Sequence, residues 1–276
     1  MLDVVSIIPS SDGSEKYWFR CTDYNNVLAV KIPKTRHISY CISCQIGCIN
    51  KCRHCATGQI PYVRDLSINE IVTQVLQMTK EPSPSDKILF MGMGEPLFNL
   101  DNVLGAIDKF IESKIVMNLD KVIISTSGVI PGITELSKKR NRVRLAITLG
   151  TLNSKKREYM IPITKIYPID ALIAACKDYQ DTTNDRLIFQ YPLLKDFNDT
   201  DKDIEETIQT LQDFDYELHI IPFNEFEGAP FERPSSRKIK YFYKMFESAG
   251  VEIFEKPSKG VDVHAGCGQL DYTSES

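Results

Sequence analysis

The sequence predicts an α/β protein folded as a partial, TIM-like (βα)6 barrel, and three observations carry that expectation. From about residue 37 onward, apolar runs of strand length alternate with segments of helical period, the pattern of a parallel sheet with helical crossovers. Six such runs occur: HISYCIS, KILFMGM, KVIISTS, VRLAITL, RLIFQYPLL and ELHIIPF. With 276 residues, of which 42% are hydrophobic, the chain suffices for one barrel-sized domain. Ligands of such barrels gather at the C-terminal ends of the strands, so the functional residues are expected there.

Residues 1–36 are expected to form a β-hairpin ahead of the barrel, from SSDGSEKYWFRCTD and NNVLAVKIP, with Asp12 and Gly13 as the turn signal. Residues 37–250 make the (βα)6 core. Within it, Ser67 and Glu70 form a capping box, and Ile68, Ile71, Val72, Val75 and Leu76 recur with helical period, predicting a helix from Ser67 to Lys80. Tyr241, Phe242, Tyr243 and Phe246 make an aromatic stripe on a late helix, explained by core packing. Cys21 and Cys176 are expected as buried thiols, Cys176 on a helix face with Ala171, Leu172 and Ala175. Residues 251–276 add a further strand, VEIFEK, and a Gly-rich tail, GVDVHAGCGQL. No solenoid repeat or low-complexity linker divides the chain, so one domain is expected.

The formal net charge of −4 gives no overall pull toward nucleic acid, whose binding is driven by Lys and Arg that displace counterions. Any RNA contact must be a local patch, and the cluster Lys155, Lys156, Arg157 reads as a solvated face. No apolar stretch approaches the ~20 residues of a membrane span, and the first residues lack the features of a signal peptide. A cytoplasmic protein with no membrane partner is expected.

Five of the eight cysteines fall between Cys41 and Cys55, in the order Cys41, Cys44, Cys48, Cys52, Cys55. In a reducing compartment such density reads as metal-binding or catalytic rather than as a disulfide framework. A C-x2-C pair also suits zinc, with Cys41, Cys44 or His54 as a fourth ligand. The full spacing C-x3-C-x2-C, from Cys48 through Cys52 to Cys55, offers three thiolates and leaves one iron of a 4Fe-4S cube open to a cofactor. Phe90 to Asn99, FMGMGEPLFN, follows the second strand and is neither a P-loop nor a dinucleotide fingerprint. Gly94 lets backbone approach a ligand, and Glu95 is a carboxylate able to accept from an ammonium group.

The C-x3-C-x2-C spacing is the signature of the radical S-adenosylmethionine (SAM) superfamily. Together with FMGMGEPLFN, ISTSGVIPGI, RLAITLGTLN, the run from Arg157 to Pro168, IPFNEFEGAPFERPSS and HAGCGQL, in that order over nearly the whole chain, it resembles the RlmN/Cfr family of radical SAM RNA methyltransferases. The resemblance implies a (βα)6 radical SAM barrel, a 4Fe-4S cluster on Cys48, Cys52 and Cys55, and SAM as cofactor. It implies methylation of adenine carbon-2 or carbon-8 in ribosomal or transfer RNA, with an electron donor such as flavodoxin or ferredoxin.

Residue by residue, Cys267 matches the family's methyl-carrying cysteine, and Cys41 the cysteine that resolves the protein–RNA adduct. His54 stands where the superfamily usually has an aromatic ring against the bound nucleoside. Gly94, Glu95, Ser125, the segment Thr148, Leu149, Gly150, and Asn224 match SAM-binding positions. Three positions depart from the pattern: Gly150 replaces a His, Cys44 replaces a Ser and brings a thiol near the cluster loop, and Leu28 replaces a Glu proposed to remove the adenine proton. The family's N-terminal accessory domain, associated with RNA binding, is expected to be absent. Two other readings compete: the same two-cysteine chemistry on a nucleotide, metabolite or peptide, and a non-catalytic, zinc-holding RNA-binding module.

Overall fold

The computed structural model describes residues 2–79, 81–83, 85–139 and 142–271. Ten strands form one sheet. Three antiparallel strands lead it, β1 (Asp3–Pro9), β2 (Glu15–Arg20) and β3 (Asn26–Pro33), followed by β4 (Ile38–Ile42). A small ribbon of β5 (Gln45–Ile46) and β6 (Arg64–Asp65) frames the cysteine loop. From β4 the sheet continues through β7 (Lys87–Phe90), β8 (Val122–Thr126), β9 (Arg144–Thr148), β10 (Leu187–Leu193), β11 (Tyr216–Pro222) and β12 (Ile253–Glu255), all parallel neighbours. The six expected barrel strands are therefore present, and β12 extends them as a seventh.

The intervening helices are α1 (Ile68–Met78), α2 (Leu100–Glu112), α3 (Ile130–Ser137), α4 (Ser154–Met160), α5 (Ile169–Thr183), α6 (Asp201–Leu211) and α7 (Ser236–Ser248). Their apolar faces and one face of the sheet make the main core, in which Val75, Ile88, Phe110, Leu172, Cys176, Phe242 and Phe246 are buried. The other face lines the barrel interior, where Ile123, Ala146 and Ile188 pack against Leu89 and Met91. This alternation along each strand lets β8 and β9 place Ser125 and Thr148 inside the barrel while Ile124 and Ile147 join the core.

The capping box of α1 forms as expected, with Ser67 accepting from the Glu70 backbone and Glu70 from the Ser67 backbone. The helix ends at Met78; Lys80 lies outside the described residues, as do residues 272–276 of the expected tail. Three expectations are corrected. Leu76 is 54% exposed, and the buried face of α1 is completed instead by Gln74 and Met78, Gln74 bonding the Ser43 backbone. The leading unit has three strands rather than two. β1 escapes the alternation rule because its pairing shifts register between Val4 and Ser6, and Val4, Val5 and Ile7 are all exposed. Tyr241 also leaves the aromatic stripe, reaching Asp201 through its hydroxyl at 2.9 Å. No helix among the described residues is long and apolar enough to cross a membrane.

The tail returns to the start of the chain. The Ser10 hydroxyl donates to Asp262 at 2.5 Å, and Gly260 N donates to Asp12 at 2.9 Å. Ala265 and Leu270 then pack on Leu28, Val30, Ile60 and Met93. Leu28, fully buried in this cluster, is part of the apolar seat of the tail; a carboxylate there would be desolvated. These contacts carry Cys267 across to the cysteine loop.

Candidate active site

Cys48, Cys52 and Cys55 sit on the loop after β5 and line one cavity of about 130 Å³ at the C-terminal ends of β7 to β11. The loop is coiled tightly. Gly47 has φ +71°, and a Cβ there would lie 2.1 Å from Pro61 O, so no other residue fits. Burial first, then Cys52 and Cys55, drives the Cys48 thiol well above its ordinary value. Burial and Cys55 push Cys52 up to about 12, and burial raises Cys55. Three enclosed thiols that oppose one another's ionisation suit a cationic inorganic group, which takes them as thiolates and displaces their protons. Among the described residues no three His, Cys, Asp or Glu side chains converge closely enough to hold a single metal ion. Cys41 and Cys44 do not join the trio as a fourth zinc ligand, because neither lines its cavity.

His54, Gly94, Glu95, Ser125, Thr148 and Asn224 line the same cavity. His54 Nδ1 is buried without a partner, and enclosure lowers its imidazole to about 4, so the ring is neutral. Glu95 is buried, and its carboxylate accepts from Ser127 N at 2.8 Å, Leu97 N at 3.2 Å and Asn50 Nδ2 at 2.9 Å. Burial raises its carboxyl although these donors oppose the shift. Glu95 thus ties the cysteine loop to the end of β8, as well as facing the cavity. Gly94 is required by the protein itself: at φ +100° its Cβ would meet the Gln45 side chain at 2.5 Å.

Leu149 and Gly150 do not reach the cavity. Leu149 is buried in the main core, and Gly150 accepts from Asn198 at 2.6 Å. They are held in place by Arg157, which the charge pattern had placed on a solvated face. Arg157 is instead 0% exposed. Its guanidinium donates to Leu149 O at 2.9 Å, Thr164 Oγ1 at 2.6 Å, Ser127 O at 2.8 Å and Thr148 O at 3.0 Å, all uncharged acceptors. Burial brings it down to about 10, still cationic at neutral pH. Arg157→Lys is expected to lose about 3 kcal/mol or more of stability, because one ammonium cannot reach four acceptors spread over three segments. A urea-unfolding loss under 1 kcal/mol would contradict this.

Glu95→Ala is expected to weaken SAM binding by about tenfold to a hundredfold, the worth of a charged hydrogen bond. It should also lower the melting temperature, since Asn50 and Ser127 N lose their acceptor. Calorimetric titration with SAM checks the first effect and thermal unfolding the second; an unchanged dissociation constant removes the SAM contact and an unchanged melting temperature removes the structural tie.

A second cavity, of about 450 Å³, fills the barrel interior beside the first and is lined by both Cys41 and Cys267. Cys267 lines both cavities. The tail that carries it is fixed by Asn224 Nδ2 on Cys267 O at 3.0 Å, Ala56 N on Gly268 O at 2.7 Å and Thr57 Oγ1 on Leu270 O at 2.7 Å. Asn224 therefore seats the tail as well as lining the smaller cavity. Cys267 is accessible from the cavity yet enclosed by its walls, and that enclosure, followed by Cys55, pushes its thiol up to about 11 while Lys256 opposes. Cys41 is pushed up to about 12 by burial and by Cys267. Cys44, expected near the cluster loop, is packed in the main core and borders neither cavity.

Sequence reasoning missed Gln190, whose Oε1 accepts from Ser125 Oγ at 2.7 Å and whose side chain borders both cavities. Its only signal was a polar residue amid the apolar run RLIFQYPLL.

Residues 42–211 match the family model of the radical SAM superfamily. The chain is 36% identical over 95% of its length to a dual-specificity RNA methyltransferase RlmN of Desulfosudis oleivorans, spanning 71% of that protein. It is 37% identical over 95% of its length to the same-named protein of Syntrophotalea carbinolica, spanning 70% of it. A crystal structure of a radical SAM methyltransferase from Sphaerobacter thermophilus superposes with a TM-score of 0.92 at 33% identity, covering 98% of this chain and 81% of that one. The chain belongs to the RlmN family of radical SAM methyltransferases, enzymes that work with a 4Fe-4S cluster and S-adenosylmethionine.

Proposed function

We propose that this enzyme methylates an adenine ring carbon, carbon-2 or carbon-8, in ribosomal or transfer RNA, through a methyl group carried on Cys267. The observation that carries the reading is that Cys41 and Cys267, from opposite ends of the chain, line one cavity that adjoins the three-cysteine pocket. The relatives' names, dual-specificity RNA methyltransferase, support the RNA substrate.

Cys48, Cys52 and Cys55 hold the cluster, and His54, Gly94, Glu95, Ser125, Thr148 and Asn224 surround SAM. When bound, the cluster supplies the electron, delivered by a donor such as flavodoxin or ferredoxin, for reductive cleavage of SAM, since an sp2 ring carbon is too poor a nucleophile to displace a methyl group directly. Cys267, as thiolate, takes the methyl from one SAM, which leaves as S-adenosylhomocysteine. One hydrogen of that methyl passes to the deoxyadenosyl group cleaved from a second SAM, the carbon joins the substrate ring as the ring gives up a proton to solvent and one electron to the oxidised donor, and Cys267 is left linked to the product through a thioether. The Cys41 thiolate then attacks the Cys267 sulfur: the sulfur–sulfur bond forms, the sulfur–carbon bond breaks, and its electron pair leaves with the product carbon. Leu28 takes no part in proton removal.

Mass spectrometry of nucleosides from cells with and without this gene tests the reading. An added methyladenosine with the gene is expected. Its absence, with Cys267 still methylated in the purified protein, would move the chemistry to a substrate other than RNA.

A further inference from the structure

The larger cavity also holds a cluster of cationic side chains. Lys34 and His37, just before β4, line it together with Lys87 at the start of β7, Arg144 at the start of β9 and Lys256 after β12. Arg144 is taken by Glu217 at 2.6 Å. The side chains of Lys34, Lys87 and Lys256 make no ion pair or hydrogen bond with a described residue. Each is drawn below the ordinary lysine range, first by burial and then by other cations: Lys259 and Lys87 act on Lys34, Lys121 and Arg144 on Lys87, Lys87 and Lys34 on Lys256, while Asp12 opposes the shift of Lys34 and Glu217 those of Lys87 and Lys256. A convergence of like charges around a cavity destabilises the fold and gathers anions.

A second observation lies deeper in the same cavity. His219 is 3% exposed, and its Nε2 lies 3.0 Å from Glu217, while Nδ1 is buried with no partner. With Nε2–H donated to the carboxylate, Nδ1 is left as an acceptor. The register sets the spacing. Ser39 pairs with Lys87, and Cys41 follows two residues further along β4, roughly 7 Å toward the reactive end.

We propose that this cavity is a nucleotide site: a phosphate lies among Lys34, Lys87 and Lys256, the base reaches Cys41 and Cys267, and His219 Nδ1 accepts from a nucleoside hydroxyl or amine. The assignment rests on the function proposed above, which puts the reacting carbon between the two cysteines, and adds to it the recognition of a single phosphorylated nucleotide. That nucleotide is either free or turned out of an RNA strand, as enzymes that act on a base commonly require.

The test is calorimetric titration of the cluster-loaded protein with adenosine monophosphate and with adenosine. The monophosphate is expected to bind at least roughly tenfold more tightly, as a charge-assisted phosphate contact provides. That advantage should shrink with added salt and vanish in the Lys87→Gln/Lys256→Gln double variant, while His219→Phe should weaken both ligands. Competition by an adenine-containing RNA oligonucleotide assigns the site to a nucleotide within RNA, and failure to compete assigns it to a free nucleotide; either keeps the phosphate site. Equal binding of the two ligands overturns it, as does an advantage that the double variant retains. Where the double variant does not fold, the comparison of the two ligands and its salt dependence in the unaltered protein decide. RNA methylation without a phosphate preference overturns the site alone, whereas a phosphate preference in a protein that methylates no RNA overturns the function alone.

Discussion

Cys52→Ala protein, reconstituted anaerobically with iron and sulfide, is expected to hold no 4Fe-4S cluster and to release no deoxyadenosine from SAM. Two thiolates cannot hold the cube so that one defined iron stays open to the cofactor. The surroundings reinforce the loss. The Cys52 sulfur lies 3.7 Å from Ser127 Oγ, and Ser127 N donates to the same Glu95 carboxylate that holds Asn50 of the cysteine loop. Cys52 is also buried at 7% exposure, so water is poorly placed to substitute for the missing ligand. Iron and acid-labile sulfide analysis and chromatography of SAM products read the two effects. SAM cleavage at the rate of the unaltered protein would refute the assignment of Cys52.

The second large effect separates the two distant cysteines, since either substitution stops turnover but the failures differ. Cys267→Ala leaves nothing to carry the methyl group, so no S-methylcysteine and no covalent link to substrate should form. Cys41→Ala fails later: the thioether between Cys267 and the substrate has no thiolate to attack it, and a protein–substrate adduct should accumulate. Cys44 has no access to rescue this step, for it is buried at 2% exposure in the main core, its thiol against Met93 O at 3.7 Å, and borders neither cavity. Cys41→Ala and the Cys41→Ala/Cys44→Ala double variant should therefore trap the adduct equally. Denaturing electrophoresis after an anaerobic reaction with SAM, reductant and RNA reads it. Absence of adduct from both, despite methylated Cys267 and continuing SAM cleavage, would exclude the two-cysteine route.

The barrel was legible because its strands are apolar runs with clear ends: the runs at 87–93 and 121–127 contain β7 and β8 within them. β1 was not, because a register shift and an exposed edge blur its alternation. In the site, a local motif exposed the cysteine trio, whereas Arg157 was hidden within a run of charge. Nothing near it in sequence shows that its acceptors come from residues 127, 148, 149 and 164, brought together by tertiary structure. Leu149 and Gly150 belong to a motif beside the cavity and serve its framework. The lysines of the larger cavity come from separate elements, each a single unremarked charge along the chain.

The central claim is that the transferred methyl group passes through Cys267. Incubation of the cluster-loaded protein with SAM labelled in its methyl group, followed by digestion and peptide mass spectrometry, tests it most directly. The label is expected on Cys267 as S-methylcysteine and absent from Cys41 and Cys44. Unlabelled Cys267 in protein that holds its cluster and cleaves SAM would contradict the account.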